Sequence, residues 1–265
     1  MNTTSIGNCA RLWQAMTPVV LTVACSSPLQ GAGVSNLQLL DAQCHSAKQI
    51  SLIASDESDT SRGATSQPGR LRAIRDEVTS VAVCGGHVRL TMFSGSVVGQ
   101  VVFDGDLTTA GATETSRLRK VPKLVDEAMA TIGRGLPAAR ASLPGDGTDI
   151  TGQYEVAAEY FAQQGAAGKA VRTFTVLTDG ISTIPAEVAD PRFTVARARE
   201  LSESVTPAAV PGVAVRMIGV GRTATGELLP SSYVDAVKAF QSAVCEKSAA
   251  AFCLIVTDAG AGGAK

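Results

Sequence analysis

Residues 49–61 read Gln49-Ile-Ser-Leu-Ile-Ala-Ser-Asp-Glu-Ser-Asp-Thr-Ser61. Ile50, Leu52, Ile53 and Ala54 put apolar side chains on both faces of an extended segment, the pattern of a strand buried between two layers of helix in a parallel sheet. Polar residues then begin abruptly. Asp56, Ser58 and Thr60 stand at alternate positions, and in extended backbone alternate side chains point the same way. One carboxylate and two hydroxyls therefore converge just beyond the strand's C-terminal end, a grouping that suits a hard cation.

Around this strand the chain alternates. Gly69 to Val83 carries Leu71, Ile74, Val78 and Val81 at helical spacing and stops at Gly85-Gly86. His87–Phe93 and Val97–Phe103 are β-rich runs separated by Ser94-Gly-Ser96, a hairpin pattern. Pro122 opens a helix expected to end at Gly133, and Asp149–Gln164 forms another. Val171–Thr178 is a strand ending in Asp179-Gly180, and Asp190-Pro191 is expected to cap the helix that runs through Leu201. Val213–Val220 and Ala251–Val256 are strands, with a helix between them capped by Ser232 and Asp235. The expected fold is α/β: a doubly wound, mostly parallel sheet with one antiparallel edge strand and helices on both faces. Ligands of such sheets bind where loops leave the C-terminal ends of strands.

Composition bounds the function. The 265 residues are 45% hydrophobic, enough for one well-packed domain. A formal net charge of −1, with only 18% charged residues, gives no gross attraction for a polyanion or an acidic membrane surface. Aromatic residues at 4% leave no base-stacking platform, so nucleic acid is not an expected partner.

Two further oxygen donors belong at the same edge. Thr148, in Gly145-Asp-Gly-Thr-Asp149, precedes a helix, and Asp179 ends a central strand. With Asp56-Glu-Ser58-Asp-Thr60 and the strand ending Met217-Ile-Gly-Val-Gly221, this order resembles the von Willebrand factor A domain and its metal-ion-dependent adhesion site. The resemblance implies that Asp56, Ser58, Thr60, Thr148 and Asp179 hold Mg²⁺, with Mn²⁺ or Ca²⁺ as substitutes. It also implies that a partner protein's acidic side chain completes the ion's shell. Thr60 stands where the family usually has a second Ser, and Asp146 adds a charge between two glycines. Two carboxylates and three hydroxyls form a hard donor set without sulfur or imidazole.

The N-terminal segment resembles a bacterial lipoprotein signal over residues 1–24. Arg11 is the only charge before Asp41, Ala15-Met-Thr-Pro-Val-Val-Leu-Thr-Val-Ala24 is apolar, and Cys25 would carry the lipid. Secretion without an anchor is the alternative. Membrane association would then be through the lipid alone, since the run is too short to span a bilayer. Residues 25–45 are read as a tether, 46–258 as the domain and 259–265 as a flexible tail. In an exported chain the remaining Cys44, Cys84, Cys245 and Cys253 suggest two disulfides. Their placement favours Cys44–Cys84 and Cys245–Cys253, with four buried thiols as the alternative.

Other chemistries fit less well. The Asp56 and Gly145–Asp149 motifs superficially resemble those of haloacid dehalogenase phosphatases, which need a second Asp where Ser58 stands. Gly219-x-Gly221-x-x-Ala224 mimics a dinucleotide fingerprint at the end of a late strand, with no helix promptly after it. His45 and His87 lack a nucleophile elbow. The expectation is a binding protein, not an enzyme, with a structural envelope domain whose metal site is empty as the main alternative.

Overall fold

The computed structural model describes residues 29–63, 67–95, 99–165 and 169–258. The signal-like segment, Cys25 and the tail 259–265 lie outside these residues. Strand β1, Lys48–Asp56, runs between two parallel neighbours, β2 (Gly86–Phe93) and β4 (Ala170–Leu177). Beyond β2 lies β3 (Gln100–Leu107), antiparallel as the hairpin pattern indicates. Beyond β4 lie β5 (Val213–Ile218) and β6 (Phe252–Val256), both parallel, giving the order β3-β2-β1-β4-β5-β6.

The strand alternation divides the core in two. Leu52 and Ala54 face a cluster with Phe174 and Val176, covered by α5 (Gln153–Gln163), α6 (Val195–Glu203) and α7 (Ser231–Lys247). Ile53 faces the other way, into a cluster with Val88 and Leu90. There the sheet is covered by α2 (Gln67–Cys84), α3 (Glu114–Leu118) and α4 (Val121–Ala141), with α1 (Leu29–Gln43) packed against α2 and α3. Each aliphatic side chain buried this way contributes about 1.5–3 kcal/mol, and the polar residues that β1 buries before Ser55, Gln49 and Ser51, are both hydrogen-bonded to Glu77, at 3.0 and 2.7 Å.

Four expectations about boundaries need correction. The tether is helical from Leu29 to Gln43: Leu37 and Leu40 pack on the second core, and Arg117 pairs with Asp41 at 2.5 Å. Arg117 is partly buried in that ion pair. Helix α4 does not end at Gly133 but continues through Pro137 to Ala141, because Ile132 and Leu136 keep its stripe in the core. Asp190 closes a turn by accepting the Arg192 amide, and the cap of α6 is Thr194, whose hydroxyl accepts the Arg197 amide. Helix α7 begins at Ser231 after Pro230 with no side-chain cap, so Ser232 and Asp235 do not serve as one.

Both disulfides are present in the favoured connectivity. Cys44–Cys84 joins the end of α1 to the end of α2 across a Cα separation of 5.4 Å, and Cys245–Cys253 joins α7 to β6 across 6.1 Å.

Candidate metal centre

All five positions singled out from the sequence lie in loops at the C-terminal edge of the sheet. Asp56 is the last residue of β1 and Asp179 follows β4, its immediate parallel neighbour, so adjacency in the sheet sets the two carboxylates close together. Both are fully buried. Ser58 and Thr60 leave β1 on the same loop, and their hydroxyls are 3.4 Å apart. The Thr148 loop is held against this group from two sides. Thr148 bridges to Gly95 beyond β2, and its carbonyl accepts the amides of Thr183 and Ile184 in the loop that follows Asp179. Gly145, at the start of that loop, accepts the Asp59 amide at 2.8 Å.

Glycine is required where these loops approach one another. Gly219, with φ +104°, follows β5 so closely that a Cβ would stand 2.9 Å from the Thr178 carbonyl oxygen. Gly180, with φ +81°, leaves room for Val220 and Val237 directly behind Asp179.

The two carboxylates are differently satisfied. Asp56 accepts the Ser58 amide on one oxygen at 2.9 Å and the Thr178 hydroxyl on the other at 2.7 Å. Asp179 accepts the Ile181 amide on Oδ1 at 2.9 Å, while Oδ2 is buried without a hydrogen-bond partner. Burial pushes both acids above the usual carboxylate range. For Asp179 the neighbouring Asp56 charge adds to that rise, while the Ile181 amide, the Thr60 hydroxyl and the Arg70 guanidinium pull the other way. Two neighbouring buried acids, one with an oxygen that has no hydrogen-bond partner, favour an added positive charge, so the donor set fits a divalent cation. Among the described residues no group of three His, Cys, Asp or Glu side chains is arranged for a metal. Beside the two acids, the other side-chain oxygens of the five positions are the hydroxyls of Ser58, Thr60 and Thr148.

Several residues of this edge escaped the sequence reading. Thr178 and Ser61 are hydrogen-bonding partners of Asp56 and of the Asp179 amide. The buried Glu57 forms an ionic group with the partly exposed Arg70 and Arg140 behind the loop. Glu57 was legible in principle, because a charged residue between two inward-pointing positions of a loop following a buried strand must point away from them and find a partner.

A doubly wound sheet of this strand order, with an antiparallel edge strand and a carboxylate-hydroxyl cluster at its C-terminal edge, is a von Willebrand factor A-like fold. No family model matches the chain, and no curated protein matches it in sequence. Solved structures do match. An aerotolerance-related membrane protein from Bacteroides fragilis is 17% identical, with 79% of this chain and 92% of that one covered and a TM-score of 0.42. The protein BatB from Bacteroides thetaiotaomicron is 16% identical over 81% of this chain and 93% of that one, with a TM-score of 0.41. A manganese-loaded TRAP protein from Plasmodium vivax is 13% identical over 74% and 63%, with a TM-score of 0.34. At these identities the similarity is distant and concerns the backbone alone.

Proposed function

We propose that this chain is a metal-ion-dependent protein-binding domain, exported and anchored by a lipid on Cys25, in which a divalent cation bridges to a carboxylate of the partner. The observation that carries this reading is the buried, unpartnered Oδ2 of Asp179 beside Asp56, under the hydroxyls of Ser58 and Thr60 and next to the Thr148 loop. Asp56, Ser58, Thr60, Thr148 and Asp179 would hold the ion, Mg²⁺ first and Mn²⁺ or Ca²⁺ in its place. A bound cation would supply an electrophilic point that an external carboxylate can reach. Thr60 is the exposed member of the set, which sets the direction of approach.

Assembly or adhesion fits this chemistry better than catalysis. The dehalogenase reading needs an acid at Ser58 and a strand before the Gly145 loop, and that loop instead follows helix α4. Two disulfides agree with an extracytoplasmic location. Among the described residues no helix is long and apolar enough to cross a membrane.

A structural role without a bound ion draws support from one feature, the internal hydrogen bonds on both oxygens of Asp56. Titration of the chelator-treated protein with Mg²⁺, Mn²⁺ and Ca²⁺, followed by calorimetry, separates the two. Saturable binding that Asp179→Ala abolishes is expected. Equal, featureless titrations of the native protein and the variant establish the structural role instead. Capture of the partner from envelope extract, reversed by EDTA, would test the bridge itself.

A further inference from the structure

Behind the loop that carries Asp56, Ser58 and Thr60 sits a buried acid that no part of the metal set uses. Glu57 points away from its neighbours, as strand alternation requires, and its side chain is only 2% exposed. Its Oε2 accepts Arg140 Nε at 2.6 Å, and its Oε1 lies 3.4 Å from the Ser55 hydroxyl and 3.8 Å from Arg70 Nη1. Arg70, at the start of α2, donates to the Asp56 carbonyl oxygen and to Ser61 Oγ, and Ser61 Oγ accepts the Asp179 amide at 3.1 Å. Arg140, in the last turn of α4, leads directly into the Gly145–Thr148 loop.

Through these contacts one carboxylate is tied to all three loops that bear the candidate ligands. Its own loop carries Asp56, Ser58 and Thr60. Arg70 and Ser61 reach the backbone of Asp179, and Arg140 fixes the helix end from which the Thr148 loop departs.

We infer that Glu57, acting through Arg70 and Arg140, is a positioning residue for the cation: it sets the relative placement of the three loops, and so sets metal affinity. The inference rests on the metal-binding reading above. Residues that hold and orient metal ligands without touching the ion typically change its affinity 10–100-fold when altered.

The test compares Mn²⁺ dissociation constants, by calorimetry or the EPR signal of free Mn²⁺, for the native protein, Glu57→Gln, Arg140→Lys and Glu77→Gln. Glu77 is a second buried acid paired with an arginine, Arg216 at 3.3 Å, and it lies on α2 away from the loops. Its substitution reports on lost burial of a charge pair alone. Glu57→Gln should weaken Mn²⁺ about 10-fold or more. Arg140→Lys keeps the charge and loses the Nε bond, so it should give a smaller loss and serves as the readout if Glu57→Gln does not fold. Glu77→Gln should bind Mn²⁺ like the native protein despite melting lower. Native-like affinity in Glu57→Gln, or in a folded Arg140→Lys if that alone is available, overturns the inference and leaves the metal reading intact. An equal loss in Glu77→Gln overturns it by showing a general stability effect. No Mn²⁺ binding by the native protein overturns both.

Discussion

Glu77 and Asp179 are both buried acids of one sheet, and the fold treats them in opposite ways. Glu77 accepts the Gln49 amide at 3.0 Å and the Ser51 hydroxyl at 2.7 Å, and pairs with Arg216 at 3.3 Å. Every oxygen has a partner. Asp179 has one backbone amide on Oδ1, nothing on Oδ2, and a second acid beside it. A carboxylate that is fully matched ties α2 to β1 and β5, whereas Asp179 at the loop edge keeps one oxygen without a hydrogen bond. Burial alone therefore does not set the two acids apart; their hydrogen bonds do.

That contrast can be broken in four measurements. The largest effect is expected from Glu77→Ala, which leaves Arg216 and two polar side chains without their acceptor. A loss of about 3–5 kcal/mol in urea unfolding is expected, with cation affinity unchanged in whatever fraction remains folded. Next, adding Mg²⁺ or Mn²⁺ to the native protein at roughly 100 times its dissociation constant should raise stability by about 2.7 kcal/mol, and EDTA should reverse it. An unchanged melting temperature with every divalent ion would show that the orphaned oxygen is not a ligand.

Asp179→Asn sharpens the comparison because its sign is opposite to that of Glu77→Ala. Removing an unmatched buried charge should stabilise the chelator-treated protein by about 1 kcal/mol, while abolishing the rise with cation. A destabilised Asp179→Asn in EDTA would mean that the acid is structural after all. The smallest effect belongs to Leu228→Ser. Leu228 is 94% exposed on the loop after β5, and its replacement should stay within about 0.5 kcal/mol with cation affinity intact.

The central part of this architecture was legible from local chemistry. Apolar residues on both sides of Ile53 require two covering layers, and the abrupt start of polar residues at Asp56 marks the end of the strand. The disulfide pairing also followed from where the elements begin and end. The extended geometry expected beyond Asp56 is not what brings Ser58 and Thr60 together: the chain turns there, with the Ser58 carbonyl accepting the Ser61 and Arg62 amides. What could not be read locally was set by tertiary burial. Gly133 is a stop signal by propensity, yet Leu136 one turn later packs into the core and carries α4 onward. Residues 29–43 carry a single charge, Asp41, and resemble a linker, yet Leu37 and Leu40 meet α2 and the Cys44–Cys84 bond fixes the helix end. Asp190 and Ser232 carry cap chemistry that the chain spends on a turn and leaves unused, respectively. The ionic group around Glu57 was invisible because Arg70 and Arg140 are far from it in sequence, and nothing in their own surroundings marks them as its partners.

The ladder between β1 and β4 has one more consequence. These two strands pair in parallel over eight residues, from Lys48 with Ala170 to Ser55 with Leu177; β1 ends at Asp56, and Asp179 stands two residues beyond β4. Were a partner held at that edge, a pull on it would enter the molecule at the middle of the sheet, along two strands each hydrogen-bonded on both sides, and not at an edge strand with one free side.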